Sequence, residues 1–569
     1  ASPAPRTRPG RPRVAAAALL LAAGAGALGL LAGRALSPRN PLSFQKLTFR
    51  RGFVWSARFS PDGNTVVYSA AWDGGPLELF ATRPDTPGDA TPLEPRHAEV
   101  LATSPGELLV LADRPGSSPV LARVPLTGGT PRPVLPDVLA ADASPSGPEL
   151  AVVREKGGAW RVEYPVGRTI HESSGEVSHL RVSPSGRAVA FLDHPVASAF
   201  GAIVVVDRES GRPLLRHEAG AYVNGLDWSP SGEEVWYSSG RPGGDIVLGA
   251  VALSGQTRRL LAAPGHRVLL DVGDGGRILV AEGTRSLEIA GRLPGDAAER
   301  SYSWLDGTAL AGLSADGRTL LFSELRGGGG TLGAVFAREL PAALPYRIAE
   351  GHALDLSPDG RWAAVVPRVP PRSITLVPTG VGEPRRLPRG TLHEIHSVCF
   401  FPGGGRLLVL GAEKGRPPRL FSQDVAGGEP RALGPEGLVV APFTRTVSPD
   451  GSTVAGISGA GGRRTPVLLP VGGGEARPVP GLLPDDEPFG WSPDGRWLYV
   501  REPALRQPSW IARVDVARGV KERWREMRPA DGAGVVDTRG SAFVAGPEGS
   551  YLYDFERALE DLYLVSGLR

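Results

Sequence analysis

The residues with the clearest chemical potential are charged side chains that recur at one place in a repeated pattern. Each stands two residues before a tight-turn sequence. The set comprises Arg58, Asp142, Arg181, Asp227, Asp271 and Asp355. Guanidinium and carboxylate groups brought together on inner strands either pair with each other or face a polar ligand. We therefore treat these six residues as candidate ligand-binding, channel-lining residues. Pairing of Arg58 and Arg181 with neighbouring aspartates is the structural alternative.

Two other stretches have the residue types of a chemical site without its spacing. The histidines of His393-Glu-Ile-His396 are three apart in a strand-like stretch, whereas the zinc-binding helix motif needs them four apart. Gly456-Ile-Ser-Gly459 lacks the glycine spacing of a nucleophile elbow. Cys399 is the only cysteine, which excludes an internal disulfide and a cysteine-based metal site. We predict no catalytic, cofactor-binding or metal-binding residue in this chain.

The turn that follows the charged positions recurs along the chain. Its first copy is Ser60-Pro-Asp-Gly63, with hydrophobic residues alternating on both sides, as in a hairpin between two strands. Clear copies begin at Ser357, Ser448 and Ser492. The aspartate of each turn has two interpretations, a metal or ligand contact and a cap for the turn's own backbone. Capping is the stronger, because Asp and Ser commonly bond to nearby backbone groups in turns.

Degenerate copies included, the turns define twelve units. They begin at residues 60, 104, 144, 183, 229, 273, 314, 357, 401, 448, 492 and 537, in steps of 39 to 47 residues. A period of about 40–45 residues with several short strands in each unit is typical of β-propeller blades. Because propellers usually have four to eight blades, we predict an all-β chain of twelve four-stranded blades in two six-bladed rings.

Strand signals at the ends of the repeats suggest how the rings close. Phe44–Phe49 resembles a fourth strand without a preceding unit, and Asp561–Arg569 resembles the third strand of a last unit that lacks its fourth. We predict that Phe44–Phe49 completes unit six and that Glu299–Trp304 completes unit twelve. This arrangement assigns residues 44–298 to the first propeller and residues 299–569 to the second.

The N-terminal residues differ from the repeats. Residues 1–13 form a Pro/Arg-rich linker expected to be disordered, and residues 34–43 form a second linker. Between them, Val14–Gly33 holds only Ala, Leu, Gly and Val, which at about 1.5 Å per residue spans a bilayer of about 30 Å. Four arginines precede it and two follow it, so we expect a membrane anchor with a cytoplasmic N-terminus, and a signal peptide is the alternative. Gly29 and Gly33 offer a possible homodimer contact, although their spacing arises easily by chance in such a segment.

The overall charge argues against one class of partner. The net charge is +3, and beyond the first residues there is no basic run or basic-aromatic stripe. Nucleic-acid binding normally leaves such a footprint. We expect no nucleic-acid partner.

The segment Leu47-Thr-Phe-Arg-Arg-Gly-Phe-Val-Trp-Ser-Ala-Arg-Phe-Ser-Pro-Asp-Gly-Asn-Thr-Val-Val-Tyr-Ser-Ala-Ala-Trp-Asp-Gly74 resembles the WD40-like, TolB-like propeller repeat. Together with Leu121–Gly129, Phe191–Pro195 and Leu562–Leu568, it resembles the extracytoplasmic half of certain bacterial serine/threonine protein kinases. In that family a cytoplasmic kinase domain precedes the membrane helix. No glycine-rich loop with a strand lysine, His-Arg-Asp or Asp-Phe-Gly motif is present here.

The resemblance implies a sensor or interaction module anchored in the bacterial inner membrane, with its propellers outside the cytoplasm. Kinase activity is expected only if a kinase domain precedes residue 1. The expected partners are the membrane itself and a protein, peptide or small molecule at a propeller face. A propeller lyase or hydrolase with its site at the channel mouth, and a TolB-like periplasmic assembly factor, are the alternatives.

Overall fold

The computed structural model describes residues 41–568 apart from 115–116, 146, 157–158, 174, 195–199, 222, 241–245, 263–264, 342, 370, 442–443, 460–463, 485, 503–508, 538–542 and 547–548. Within these residues the chain forms 47 β-strands and two short 3-10 turns, at Asp274–Gly276 and Gly327–Gly329. The predicted all-β class is confirmed. The predicted membrane segment 14–33 lies outside the described residues, and none of the described helical turns is long and apolar enough to cross a bilayer.

Five four-stranded antiparallel sheets come first along the chain. Their strands are β2 (Gly52–Phe59), β3 (Val66–Trp72), β4 (Leu77–Arg83) and β5 (Thr86–Leu93); β6 (Ala98–Ser104), β7 (Glu107–Arg114), β8 (Ser117–Pro125) and β9 (Arg132–Pro136); β10 (Ala140–Ala143), β11 (Leu150–Lys156), β12 (Ala159–Glu163) and β13 (Thr169–Ser173); β14 (Glu176–Val182), β15 (Ala188–His194), β16 (Phe200–Asp207) and β17 (Pro213–Ala221); β18 (Val223–Trp228), β19 (Glu234–Gly240), β20 (Ile246–Ala252) and β21 (Thr257–Leu261).

Five further sheets of the same kind come later. Their strands are β25 (Thr308–Leu313), β26 (Thr319–Glu324), β27 (Ala334–Glu339) and β28 (Tyr346–Glu350); β29 (His352–Leu356), β30 (Trp362–Val366), β31 (Thr375–Pro378) and β32 (Arg385–Arg386); β33 (Leu392–Phe400), β34 (Arg406–Glu413), β35 (Arg419–Asp424) and β36 (Arg431–Ala432); β37 (Leu438–Val439), β38 (Thr453–Ser458), β39 (Thr465–Pro470) and β40 (Arg477–Pro478); β41 (Glu487–Trp491), β42 (Trp497–Arg501), β43 (Ser509–Asp515) and β44 (Val520–Met527).

The remaining strands form one seven-stranded sheet. They are β1 (Ser43–Lys46), β22 (His266–Val272), β23 (Ile278–Arg292), β24 (Arg300–Ser301), β45 (Val535–Asp537), β46 (Phe543–Ala545) and β47 (Tyr551–Ser566). Strands β2, β6, β10, β14, β18 and β22 contact each other in cyclic order, and β22 contacts β2. We call these sheets the first ring. The second ring comprises the sheets that begin with β25, β29, β33, β37 and β41, together with the part of the seven-stranded sheet that contains β45 and β46. Neighbouring sheets contact each other in this order, and β46 contacts β25.

The repeated turn has the structure that its sequence predicts. In the first copy, Gly63 N donates to Ser60 O at 2.8 Å, and Gly63 has a φ of 67°, which glycine adopts without strain. Asp62 Oδ1 accepts a hydrogen bond from Asn64 N at 3.1 Å and also bonds the Ser60 hydroxyl. The same serine–aspartate bond occurs in the turns that begin at Ser314, Ser357, Ser448 and Ser492. The turn aspartates are therefore backbone caps.

The hydrophobic core lies between neighbouring sheets. Val67 and Leu79 of the first sheet, for example, pack with Val100 and Val110 of the second, and all four side chains are fully buried. Because each sheet buries its faces only against its two neighbours, the row of sheets is stable only when it closes on itself.

The two rings share a long two-stranded ribbon. Strand β23 runs from the first ring into the second, and β47 returns antiparallel to it, with fifteen residue pairs from Ile278↔Val565 to Arg292↔Tyr551. At one end the ribbon pairs with β22 and β1, and at the other with β24, β45 and β46. The first ring therefore contains the C-terminal half of β47, and the second ring contains the second half of β23, from the middle of the chain.

This exchange corrects the sequence interpretation of the C-terminus. Residues 561–566 were predicted to be the third strand of the last unit, but they pair with Ile278–Glu282 and with Ser43–Lys46 in the first ring. The third strand of the last sheet is the second half of β23 instead. The reason is length, since β23 and β47 have 15 and 16 residues, and each is long enough to serve both rings. The predicted division at residue 299 is thus crossed by strands in both directions.

Candidate functional site

Five of the six candidate residues meet at the axis of the first ring. Its three aspartates join neighbouring sheets by accepting a backbone N–H from the next inner strand. The bonds run from Val182 N to Asp142 Oδ2 (2.7 Å), from Val272 N to Asp227 Oδ2 (3.0 Å) and from Phe59 N to Asp271 Oδ2 (2.8 Å). Each aspartate therefore holds two sheets together.

The two arginines at this axis bind mainly backbone carbonyls. Arg58 Nε donates to Leu101 O at 2.6 Å, and Arg58 Nη1 donates to Leu270 O, also at 2.6 Å. Arg181 Nη2 reaches the same Leu270 oxygen at 3.3 Å. The nearest carboxylates are more distant: Asp271 lies 3.9 Å from Arg58 Nε, and Asp227 lies 3.8 Å from Arg181 Nε. The arginines thus fill the axis and are held there largely by main-chain oxygens.

Burial controls the electrostatics of this cluster. It lowers the pKa of Arg58 to about 10, with the nearby Arg181 charge acting in the same direction. Burial also raises the pKa of Asp142 to about 6, against the opposing effect of Arg181. The pKa of Asp271 is raised for the same reason. Desolvation therefore disfavours the charged forms of Arg58, Asp142 and Asp271.

His179 is a strained residue beside this cluster that sequence reasoning missed. Its φ is 53°, a region that residues other than glycine rarely adopt. Its Nδ1 lies 3.0 Å from Ser178 Oγ. Burial, together with the charge of Arg181, lowers the pKa of His179 to about 3, so the imidazole is neutral at pH 7. No feature of the repeat distinguishes His179 from other strand residues.

Asp355, the sixth candidate, lies at the axis of the second ring. Its Oδ2 accepts the Phe400 N–H at 2.8 Å, as the first-ring aspartates do. Its Oδ1 lies 3.0 Å from Arg445 Nε, and Arg445 also donates to Leu313 O (2.8 Å) and Leu356 O (3.0 Å). One arginine therefore links three sheets of this ring.

Arg445 was not among the predicted residues, because it is one position out of register. The residue two positions before the turn at Ser448 is Thr446, but β37 ends at Val439, and Val440 and Ala441 are not part of a strand. Gly312 on the opposite inner strand provides the space, since a Cβ there would lie 3.0 Å from Arg445 Nη2. The sequence signal that could have identified Arg445 was the combination of Gly312, a glycine at an inner-strand position, with an arginine next to the inner-strand position Thr446.

The two stretches that lack the spacing of a chemical site, the histidine pair and the Gly456-Ile-Ser-Gly459 stretch, contain residues of β-strands. His393 and His396 are on β33, where His396 Nε2 lies 3.4 Å from Glu394. Gly456 and Ser458 are on β38. In the described part of the chain, no three His, Cys, Asp or Glu side chains are grouped so that they could hold a metal ion.

A second candidate site is a cleft of about 470 Å3 at the junction of the rings. Its apolar lining comes from the ribbon, mainly Ile289, Phe555 and Leu559. Its polar lining includes Arg51 of the first ring and Arg557 of β47. A volume between about 300 and 1,000 Å3 at the meeting of two folded units is typical of ligand sites.

One wall of this cleft is the segment 528–534, which connects β44 to β45 and which we call the strap. On the other side of the strap lies a smaller cavity of about 190 Å3, lined by Phe53, Ala71 and Gly74. Pro529 lines both cavities. The strap lies against the first ring, where Arg528 Nη2 donates to Gly74 O at 3.3 Å.

Comparison with known proteins gives one family match and several distant structural neighbours. A family model for the WD domain, G-beta repeat (WD40) matches residues 44–75. A putative TolB from Agrobacterium tumefaciens is 18% identical over 49% of this chain and 100% of that chain, with a TM-score of 0.38. Tricorn protease is 13% identical over 91% of this chain and 59% of its own (TM-score 0.31), and puromycin hydrolase is 17% identical over 59% and 58% (TM-score 0.32). No curated protein matches the sequence. The cyclic rows of four-stranded antiparallel sheets, with the WD40 repeat match at residues 44–75, identify the fold as a β-propeller.

Proposed function

We propose that this chain is a membrane-anchored sensor or interaction module outside the cytoplasm, the ectodomain of a receptor-type bacterial serine/threonine kinase. The kinase domain would precede residue 1, and the chain itself would carry no enzyme activity. The propeller fold supports a binding or scaffold role in general terms, because propellers present broad faces and channel mouths to partners.

The observation that carries the proposal is the position of β1. This strand begins ten residues after the predicted membrane segment and pairs with β47, the strand shared by both rings. Leu47 N donates to Leu562 O at 2.7 Å, and Lys46 Nζ lies 2.8 Å from Asp561. In this proposal, a displacement in either ring would be transmitted through β47 to the strand closest to the proposed anchor.

We further infer that the chain has twelve blades, six in each ring, with the shared sheet supplying the sixth and the twelfth. The usual range of four to eight blades for each propeller supports this count. The main role of the axial residues is to hold neighbouring sheets of each ring together. These residues are Arg58, Asp142, Arg181, Asp227, Asp271 and Asp355. A ligand at an axis would have to compete with the backbone carbonyls and N–H groups that now bind these side chains.

Reporter fusions test the topology. A fusion after residue 40 and one at the C-terminus should both be active only outside the cytoplasm, because the arginines before residue 14 are expected to stay inside. A cytoplasmic signal from either fusion would contradict the proposal. A signal from secreted protein that lacks residues 14–33 would favour the free periplasmic alternative.

A further inference from the structure

Asp531 of the strap occupies a carboxylate-binding site formed by two arginines from distant parts of the chain. Its two oxygens accept hydrogen bonds from Arg51 Nη1 and Nη2, at 3.1 and 2.6 Å. Arg557 Nη1 lies 3.6 Å from Asp531 Oδ2. This paired contact is the geometry by which a guanidinium recognises a carboxylate.

The deeper arginine is held by a carboxylate that lies outside the strap. Arg557 Nε and Nη2 bind the Glu288 carboxylate at 2.8 and 3.2 Å, and its side chain is only 10% exposed. Arg557 also donates to two strap carbonyls, those of Ala533 and Asp531, but its bonds to Glu288 are kept when the strap moves. A site that is ordered before its ligand arrives binds at lower entropic cost.

The Asp531 side chain, in contrast, is held by a contact that a ligand carboxylate can replace. The Arg51 and Asp531 side chains are 54% and 49% exposed, and an exposed ion pair contributes only about 0–1 kcal/mol. Gly532 and Gly534 give the strap backbone freedom, and Gly534 has a φ of 74°. Release of Asp531 would leave Arg51 and Arg557 facing the 470 Å3 cleft.

The surroundings define the rest of the ligand. Next to the two arginines the cleft is lined by Leu559, Phe555 and Pro529, which offer an apolar surface. The cavity of about 190 Å3 beyond the strap would join the cleft if the strap moved, because Pro529 borders both. The combined space suits a small molecule or a chain end rather than a folded domain.

We propose that the inter-ring cleft binds a carboxylate that carries an apolar group. The ligand carboxylate displaces the Asp531 carboxylate, which otherwise occupies the same arginine site. A small carboxylic acid and the C-terminus of a peptide with a hydrophobic last residue share this chemistry. The proposal names the ligand class for the binding role proposed above and rests on that role, but it does not depend on the membrane topology.

Calorimetric titration of the 569-residue chain in detergent micelles tests the proposal. The probes are N-acetyl-leucine, N-acetyl-leucinamide and the peptide N-acetyl-Ala-Ala-Leu with a free C-terminus. Asp531→Asn removes the internal carboxylate with almost no change in shape, so both acids should bind this variant about tenfold more tightly than the parent chain. The amide should bind neither protein. Tighter binding of the tripeptide than of N-acetyl-leucine would identify a peptide end as the ligand.

Arg50 and Asp73 provide the matched control, because they form an exposed ion pair at 3.0 Å on the same ring and neither residue lines the cleft or the smaller cavity. Asp73→Asn should leave the affinities unchanged, and adding Arg51→Gln to Asp531→Asn should abolish the gain. Equal binding of acid and amide, no gain in Asp531→Asn, or the same gain in Asp73→Asn would overturn the proposal. If the binding predictions fail but the reporter fusions are active outside the cytoplasm, the sensor role remains intact. If the chain binds the acids but the fusions report from the cytoplasm, only the proposed membrane topology is refuted.

Discussion

Arg285 of β23 donates a hydrogen bond from Nε to the Glu560 carboxylate of β47 at 2.8 Å, in the ribbon that joins the two rings. His266 Nδ1 lies 3.1 Å from the same carboxylate. Burial opposes ionisation of Glu560, but Arg285 and His266 outweigh it and lower the pKa of Glu560 to about 2. The ribbon is therefore held together by a buried ionised group as well as by backbone pairing.

Replacing Glu560 should destabilise both rings together. Glu560→Gln leaves Arg285 without its buried partner, which typically costs about 3–5 kcal/mol. We expect one cooperative unfolding transition at a clearly lower temperature by calorimetry. The control Glu429→Gln removes an exposed glutamate and should change stability by less than about 0.5 kcal/mol. Two separate transitions, with only one shifted, would show that the ribbon does not couple the rings.

Asp142 should make stability depend on pH. Its pKa is raised to about 6 in the folded chain, against about 3.9 in an unfolded one. The stability that Asp142 contributes is therefore present below about pH 4 and is lost as the pH rises through about 6. Asp142→Asn keeps an oxygen for the Val182 N–H but cannot ionise, so its stability relative to the parent should increase by about 2 kcal/mol between pH 4 and pH 8. Denaturant unfolding at the two pH values measures this, and an unchanged difference would contradict it.

Arg445 and Asp355 should be energetically coupled in the second ring. Arg445→Met removes three hydrogen bonds and leaves Asp355 charged and buried, a change expected to cost about 3 kcal/mol. The double variant with Asp355→Asn should cost less than the sum of the two single changes, because neither charge is then unpaired. Arg386→Met, at an exposed site on β32, is the control. Simple additivity in this cycle would mean that the pair is not coupled.

Fragments divided at residue 299 should not fold separately. In a fragment 299–569, residues 560–566 lack both of their partners, Ile278–Gly283 and Ser43–Lys46. Exposed edges of this kind promote aggregation. We expect fragments 41–298 and 299–569 to be insoluble alone and to form a soluble complex when produced together. A monomeric, cooperatively folded fragment 299–569 would contradict the exchange.

The repeat was predictable because each turn carries its own local chemistry. Ser, Asp and Gly at Ser60, Asp62 and Gly63 determine the turn wherever they recur, and the alternating residues beside them form the strands. The exchange of β23 and β47 was not predictable, because pairing between residues 278–292 and 551–566 depends on tertiary packing and leaves no local pattern. Arg445 was not predicted for a related reason, because β37 ends at Val439 and its two-residue alternation does not fix which later side chain points inward.

A crosslink between β1 and β47 tests the central structural claim most directly. Lys46 and Tyr563 are directly paired across the two strands although 517 residues separate them in sequence. In a Cys399→Ala background, Lys46→Cys with Tyr563→Cys should form an intramolecular disulfide under mild oxidation, seen as a faster-migrating band that reductant removes. Lys46→Cys with Val520→Cys, an exposed position on β44, should form none. No crosslink at 46–563, or equal crosslinking of the control pair, would show that the C-terminal strand does not complete the first ring.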